Sequence, residues 1–204
     1  LNFSAGIFGD TAVAAMSIVT RVVFFAVSAV IGFGQGFQPI CGFNYGARRF
    51  DRVREAFWFS VRLSFFVLLG ASVLGMALAP QIVELFLKGY PEVTAVGALS
   101  LRLQCVLMPL TGFLILSNMM LQTMGMAREA SLVAASRQGL FFLPLVLLLP
   151  IPLGLLGVQL SQPLSDLCSL ALTIPLTFRV LNNLKREEER QAPQGAAAQT
   201  HVPV

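Results

Sequence analysis

Val22–Ala47 reads VVFFAVSAVIGFGQGFQPICGFNYGA, a stretch with no charged side chain. It exceeds the roughly 20 apolar residues that cross the hydrocarbon core of a bilayer. Lipid offers no hydrogen-bond partner, so the backbone of such a run must satisfy itself, and a single segment does that as a helix. The apolar pattern starts earlier, near Thr11, and three more charge-free runs follow: Leu63–Val83, extended backwards by Ala56–Val61, then Leu103–Ala127 and Gln138–Ser165. The last continues past Asp166 to Phe178, too long for one crossing. It divides at Pro150-Ile151-Pro152-Leu153-Gly154, where two prolines and a glycine oppose helix continuation. The reading is an all-α, polytopic membrane bundle with helices near 11–39, 56–79, 95–124, 130–150 and 155–180.

Composition agrees. Of 204 residues, 56% are hydrophobic and 12% charged, against about 25% charged in soluble domains. The basic residues fall in alternate gaps. The first loop has Arg48, Arg49, Arg52 and Arg54; the third has Arg128, with Arg137 a little further on; the tail has Lys185, Arg186 and Arg190. The second loop balances Lys88 against Glu84 and Glu92, and the fourth has no charge. The positive-inside rule then predicts an external amino end and a cytoplasmic carboxyl end. The net charge of +4 follows from this topology. No continuous basic face supports a nucleic-acid partner.

Residues 1–10 read as the close of a preceding helix and a turn, and no signal peptide precedes the first apolar run. The expectation is a fragment of a longer protein. At the other end, 184–190 reads as a charged helical run and 192–204 as a polar, disordered tail, together a cytoplasmic segment after a membrane lobe at 11–183.

The densest motif lies in the first run. Gly32, Gly34 and Gly36 thin the helix so that a neighbour can approach closely. Pro39 is expected to bend or end it, with Gln35 and Gln38 facing the protein interior. Either these residues pack helices together or they form a transport-related hinge. No Gly-Lys-Ser/Thr ending follows, so the glycines are not a phosphate loop.

The stretch GFGQGFQPICGFNYGARRFDRVREAF, with Asn44, Tyr45 and Gly46 before the arginines, resembles the multidrug and toxic compound extrusion (MATE) family, in its MepA-like bacterial branch. It is similar to that family's eighth helix and the loop after it, and Gly9–Met16 and Ile18–Arg21 fit the same helix. Gln122-Thr123-Met124-Gly125 resembles the end of the tenth helix, and Gln159–Asp166 the opening of the twelfth. The resemblance covers about 9–185. It implies two six-helix lobes about a pseudo-two-fold axis, rocking to open a central cavity to either side. Entry of Na⁺ or H⁺ drives export of amphipathic, often cationic, compounds. This chain would be most of the carboxyl lobe in a bacterial inner membrane, with lipid, the amino lobe and small-molecule substrates as partners and no cofactor beyond the transported ion. Alone it is expected to be inactive, since half the cavity wall is missing.

Within the spans, Asp166 is the deep carboxylate. An ionisable group there is costly and calls for a partner or a function. Gln162 and Gln159 stand four and seven residues earlier on nearly the same face. Asp166 either couples an ion or contacts substrate, or forms a structural pair; Arg21 and Arg102 are its natural partners. Arg62 snorkels to the interface. Asn118 and Gln122, four residues apart, either line the cavity or join helices. The 17 Phe and 7 Met, including a cluster at Met119, Met120, Met124 and Met126, mostly face lipid or neighbouring helices.

Cys41, Cys105 and Cys168 have neither metal nor redox spacing and read as packing residues. The one histidine, His201, lies in the tail. Intramembrane aspartyl chemistry needs a second deep carboxylate, position 7 before Gly9-Asp10 is Ile, and no Gly-x-Ser-x-Gly elbow occurs. The chain is therefore not read as an enzyme, and no metal site is expected. The alternatives are a lipid-linked-saccharide flippase of the same superfamily, for which Arg21 and Arg102 supply few cavity cations, and a purely structural subunit.

Overall fold

The computed structural model describes residues 9–199, with side chains from 9 to 190. Of the helix end and turn expected at 1–10, residues 1–8 lie outside the described residues, as do 200–204 of the tail, and Asp10 already opens the first helix. The described chain is helical throughout and contains five helices long and apolar enough to cross a membrane.

Helix α1 spans Asp10–Gly46 and begins after Gly9, whose φ of 96° turns the chain into it. Asp10 places a carboxylate against the positive end of the helix dipole. Its buried face carries Ala12, Ala15, Met16, Val19, Val27, Val30, Gly34, Phe37 and Cys41, a helical stripe of mostly small or branched side chains. Pro39 does not end α1. The helix runs through it for two further turns, and Asn44, Tyr45 and Gly46 form the last turn. Proline removes one backbone donor, and at Pro39 packing of Phe37 and Cys41 into the core on either side holds the helical path. Beyond Ala47, Arg48 turns the chain with a positive φ of 56° while the Arg49 amide donates to Asn44 O (2.9 Å).

Helix α2, Phe50–Ala77, returns across the bundle. Its buried stripe is unusually small and polar at Ser60, Ser64, Ser72 and Gly75. Small side chains let it approach α4, Pro91–Thr123. At the crossing, a Cβ on Gly112 would lie 2.6 Å from Ser64 Oγ, so any larger residue would force Ser64 to move. Nearby the Ser72 hydroxyl donates to Cys105 O at 2.6 Å. Between α2 and α4 the short α3, Ala79–Phe86, tucks Val83 against Gly97. Helix α4 is the most enclosed of the spans and forms the bundle axis.

The fourth crossing, Ala127–Leu153, is broken. It consists of α5 (Ala127–Ala135), a π-helical turn (Ser136–Leu140), α6 (Phe142–Leu148) and α7 (Pro150–Leu153). Gly154, at φ 59°, reverses the chain within the expected proline-glycine segment. Helix α8, Leu155–Gln199, packs back on α4 and carries on beyond position 192, where the sequence predicts loss of order. At its start Gly157 meets the Leu149 carbonyl so closely that a side chain would collide with backbone.

One core cluster joins Phe37 and Cys41 of α1, Phe57 of α2, Leu116 and Met120 of α4, and Leu181 of α8. The outer surface is the reverse of a soluble protein: Phe25 is 81% exposed and Ile151 79%. Such a surface requires an apolar solvent.

Candidate functional site

The site forms where the fourth crossing loses its α-helical register. In the π turn the Phe141 amide donates to Ser136 O, five residues back (3.1 Å). Beside this turn the Ser165 hydroxyl of α8 donates to Arg137 O at 2.8 Å. The next residue of α8 takes the side chain: Arg137 Nε donates to Asp166 Oδ1 at 2.9 Å. Gln162, one turn earlier, donates to the same oxygen at 3.3 Å. Asp166 is buried and the Arg137 side chain about a quarter exposed.

Removing either member of such a pair leaves the other charge uncompensated, which costs about 3–5 kcal/mol when the pair is fully buried. Together they are neutral, which is what makes two charges tolerable at this depth. Among the described residues, neither η nitrogen of Arg137 and no donor to Asp166 Oδ2 completes a further bond.

The pair lies on the wall of a cavity of about 320 Å³ between α1, α4, the π turn and α8. Val23, Phe24, Val27 and Ile31 of α1 with Met108 of α4 make one side apolar. Gln104, Thr111, Gln138 and Gln162 add uncharged polar groups, and Arg137 and Asp166 are its charged lining residues. A second cavity of about 260 Å³ shares Ile31, Arg137 and Gln138 and continues to Asn118, Met119 and Gln122. Arg137 thus lines both hollows. The Asn118 Oδ1 and Ser117 Oγ atoms are buried without a partner.

The residues singled out in the sequence are brought together only in part. Asp166 and Gln162 meet as expected of one helix face, and Asn118 and Gln122 line the second hollow. Gln159 is turned away: its Nε2 reaches Val96 O of α4 at 3.4 Å. Gln35 is exposed and Gln38 half-buried, and neither lines these hollows. Of the three glycines only Gly34 is buried, closed over by Met119; Gly32 and Gly36 face open space. Met120 and Met124 are core residues.

The expected partners of Asp166 are corrected. Arg21 is exposed, and Arg102 reaches outward to Met76 O (3.4 Å). Arg137 takes the place assigned to them. It had been grouped with the loop at Arg128, yet a helix starting at Ala127 carries it ten residues inward, roughly 15 Å at the helical rise. That depth was the available signal.

Comparison with known proteins places the fold. The MatE family model matches residues 1–148. The multidrug export protein MepA of Staphylococcus haemolyticus (strain JCSC1435) is 22% identical over 184 residues, covering 90% of this chain and 40% of its own length. The chain thus spans about 40% of that relative. An inward-facing structure of a multidrug resistance MATE family transporter overlays with a TM-score of 0.81 at 20% identity, covering 91% of this chain and 42% of that one. An outward-facing structure of such a transporter overlays at 0.82, with 20% identity and coverage of 91% and 41%.

Proposed function

The chain belongs to the MatE family, and from that premise we propose that it serves as the carboxyl-terminal lobe of a cation-coupled multidrug antiporter. Its helices make it a multi-pass membrane protein. In this reading the lobe pairs with an amino-terminal lobe, and the two rock to export amphipathic or cationic compounds against entry of Na⁺ or H⁺. The observation that carries it is the hollow at Arg137–Asp166: a charged, hydrogen-bonded pair beside an apolar wall, inside a bundle whose outside is largely apolar. Few precisely placed polar groups on an apolar cavity are what binding of amphipathic molecules requires.

The similar overlay on inward- and outward-facing relatives supports a lobe that keeps its shape while it tilts. The end of α1, the start of α2 and the far part of α8 share one pole, tied by the Arg54–Glu188 ion pair at 3.1 Å. Arg48, Arg49 and Lys185 belong to these same segments, which supports a cytoplasmic pole with the carboxyl end inside and the amino end outside. A bacterial inner membrane is the corresponding location. Because Arg137 already neutralises Asp166, the lobe's pair suits substrate contact, and ion coupling falls mainly to acidic groups elsewhere in the complete transporter. A flippase for anionic lipid would need a cavity of net positive charge; Arg21 and Arg102 do not line this one, and Arg137 is balanced.

The test is ethidium efflux from cells carrying the complete gene, with the Na⁺ and H⁺ gradients collapsed in turn. Efflux that stops with one gradient supports the reading. No efflux with correctly inserted protein overturns it, as would efflux from liposomes holding this lobe alone for the lobe's dependence on its partner.

A further inference from the structure

We infer that the seam between α2 and α8 is a binding site for an anionic phospholipid, with its phosphate held between Arg62 and Arg179. The inference goes beyond the transporter reading and needs only the placement of these helices in a membrane. Arg54 of α2 meets Glu188 of α8 at 3.1 Å, which sets the two helices level at one pole. Arg62 follows eight residues inward on α2, and Arg179 stands nine residues inward on α8. At the helical rise of roughly 1.5 Å per residue, both lie about 12–14 Å inside that ion pair. Two arginines thus share one depth on helices that pack against each other.

Neither has a counter-charge. Both are exposed, and neither forms an ion pair among the described residues. No acidic residue occurs on α2 from Ala56 to Ala77 or on α8 between Asp166 and Glu187. Glu55, two turns back toward the pole, forms no ion pair either. Two unpaired cations at the edge of the hydrocarbon call for an anion. Snorkelling carries each guanidinium toward the head groups, and its planar fork takes a phosphate at two oxygens. A lipid of net negative charge fits better than phosphatidylcholine, whose quaternary ammonium would add a third cation.

The surroundings suit a lipid. At roughly 100° per residue, Arg179 stands about 140° round α8 from Asp166, on the side turned away from the hollow. Trp58 of α2, the single tryptophan of the chain, packs on Phe178 of α8 with ring centroids 5.8 Å apart. Arg62 follows Trp58 by one turn and Arg179 follows Phe178 directly, so the ring pair stands beside both arginines. Tryptophan marks the head-group level in membrane helices. Deeper along the two helices, Phe66 and Ile174 are exposed and offer a seat for acyl chains.

The experiment uses protein expressed from the complete coding sequence, stripped of lipid in detergent and titrated with phosphatidylglycerol or phosphatidylcholine of matched chains. Retained lipid is counted by native mass spectrometry, and stability is read as the thermal midpoint. The wild type should retain phosphatidylglycerol in preference by about twentyfold, and Arg62→Gln or Arg179→Gln should each lower the preference about fivefold. Arg62→Gln/Arg179→Gln should abolish it. Arg49→Gln/Arg52→Gln, which removes two exposed arginines of the same pole outside the seam, should leave it unchanged. Without lipid, Arg62→Gln/Arg179→Gln should unfold at the same or a higher temperature than the wild type, because it relieves two unpaired like charges. Equal retention of the two lipids by the wild type, or an equal loss in the Arg49→Gln/Arg52→Gln control, would overturn the inference. So would a lower lipid-free midpoint in the seam variant, which would assign the arginines to a carboxylate elsewhere in the transporter.

Discussion

The Ser165 hydroxyl of α8 donates to the backbone carbonyl of Arg137 at 2.8 Å, across a π turn in the neighbouring crossing. Its neighbour Asp166 holds the Arg137 side chain. Two successive residues of one helix thus grip one residue of another, by main chain and by side chain. Ser165→Ala should lower stability by about 1 kcal/mol, the worth of a buried hydrogen bond. Ser161→Ala should change less, since its hydroxyl bonds only to Gly157 O of its own helix. Thermal unfolding of the complete transporter in detergent compares the two, and equal midpoints would dismiss the cross-helix grip.

Arg137→Gln and Asp166→Asn should each destabilise, by up to about 3–5 kcal/mol, and the double variant by less than the sum, because the second change removes the charge that the first leaves unpaired. A double-mutant cycle on thermal stability measures the difference. Additive losses would mean that the two side chains do not depend on each other.

Gly112→Val should sharply reduce the yield of folded protein, since its side chain would collide with Ser64 where α2 crosses α4. Overpacking of this kind costs about 1–3 kcal/mol. Gly36→Val, facing open space, should insert and fold normally. Size-exclusion profiles in detergent separate the outcomes, and similar profiles would contradict the packing described.

Deleting Gly139 should remove the extra residue that the π turn accommodates and restore ordinary α-helix, leaving α6 in nearly its present orientation. The backbone at Arg137 would shift and loosen the grip of Ser165 and Asp166 on it. The expected result is normal insertion with loss of efflux. Retained efflux would show that the turn does not serve the site.

Much of the fold was legible because lipid imposes simple rules. Runs without charge mark the spans, and the Pro150–Gly154 segment marks a reversal that the structure makes at Gly154. Pro39 does not end its helix, as it could have done, since Phe37 and Cys41 pack into the core on either side of it. The site was half legible. Asp166 announced itself as a deep carboxylate, and Gln162 followed from helical spacing. Arg137 was hidden by its nearness in sequence to Arg128, although the helical rise alone places it well inside. The π turn had no signal in residue pattern: Ser-Arg-Gln-Gly-Leu is compatible with plain helix, and the Ser165 hydroxyl that meets the turn comes from α8, 28 residues away in sequence.

The account depends on one charged pair doing its work inside the membrane. The most direct measurement is ethidium efflux by the complete transporter carrying Asp166→Asn, Arg137→Gln, or the exchange Arg137→Asp/Asp166→Arg, each verified for insertion and folding. Either single change should slow efflux by about tenfold or more, and the exchange should recover a measurable part of it by restoring neutrality. Wild-type rates in both single variants would contradict the account.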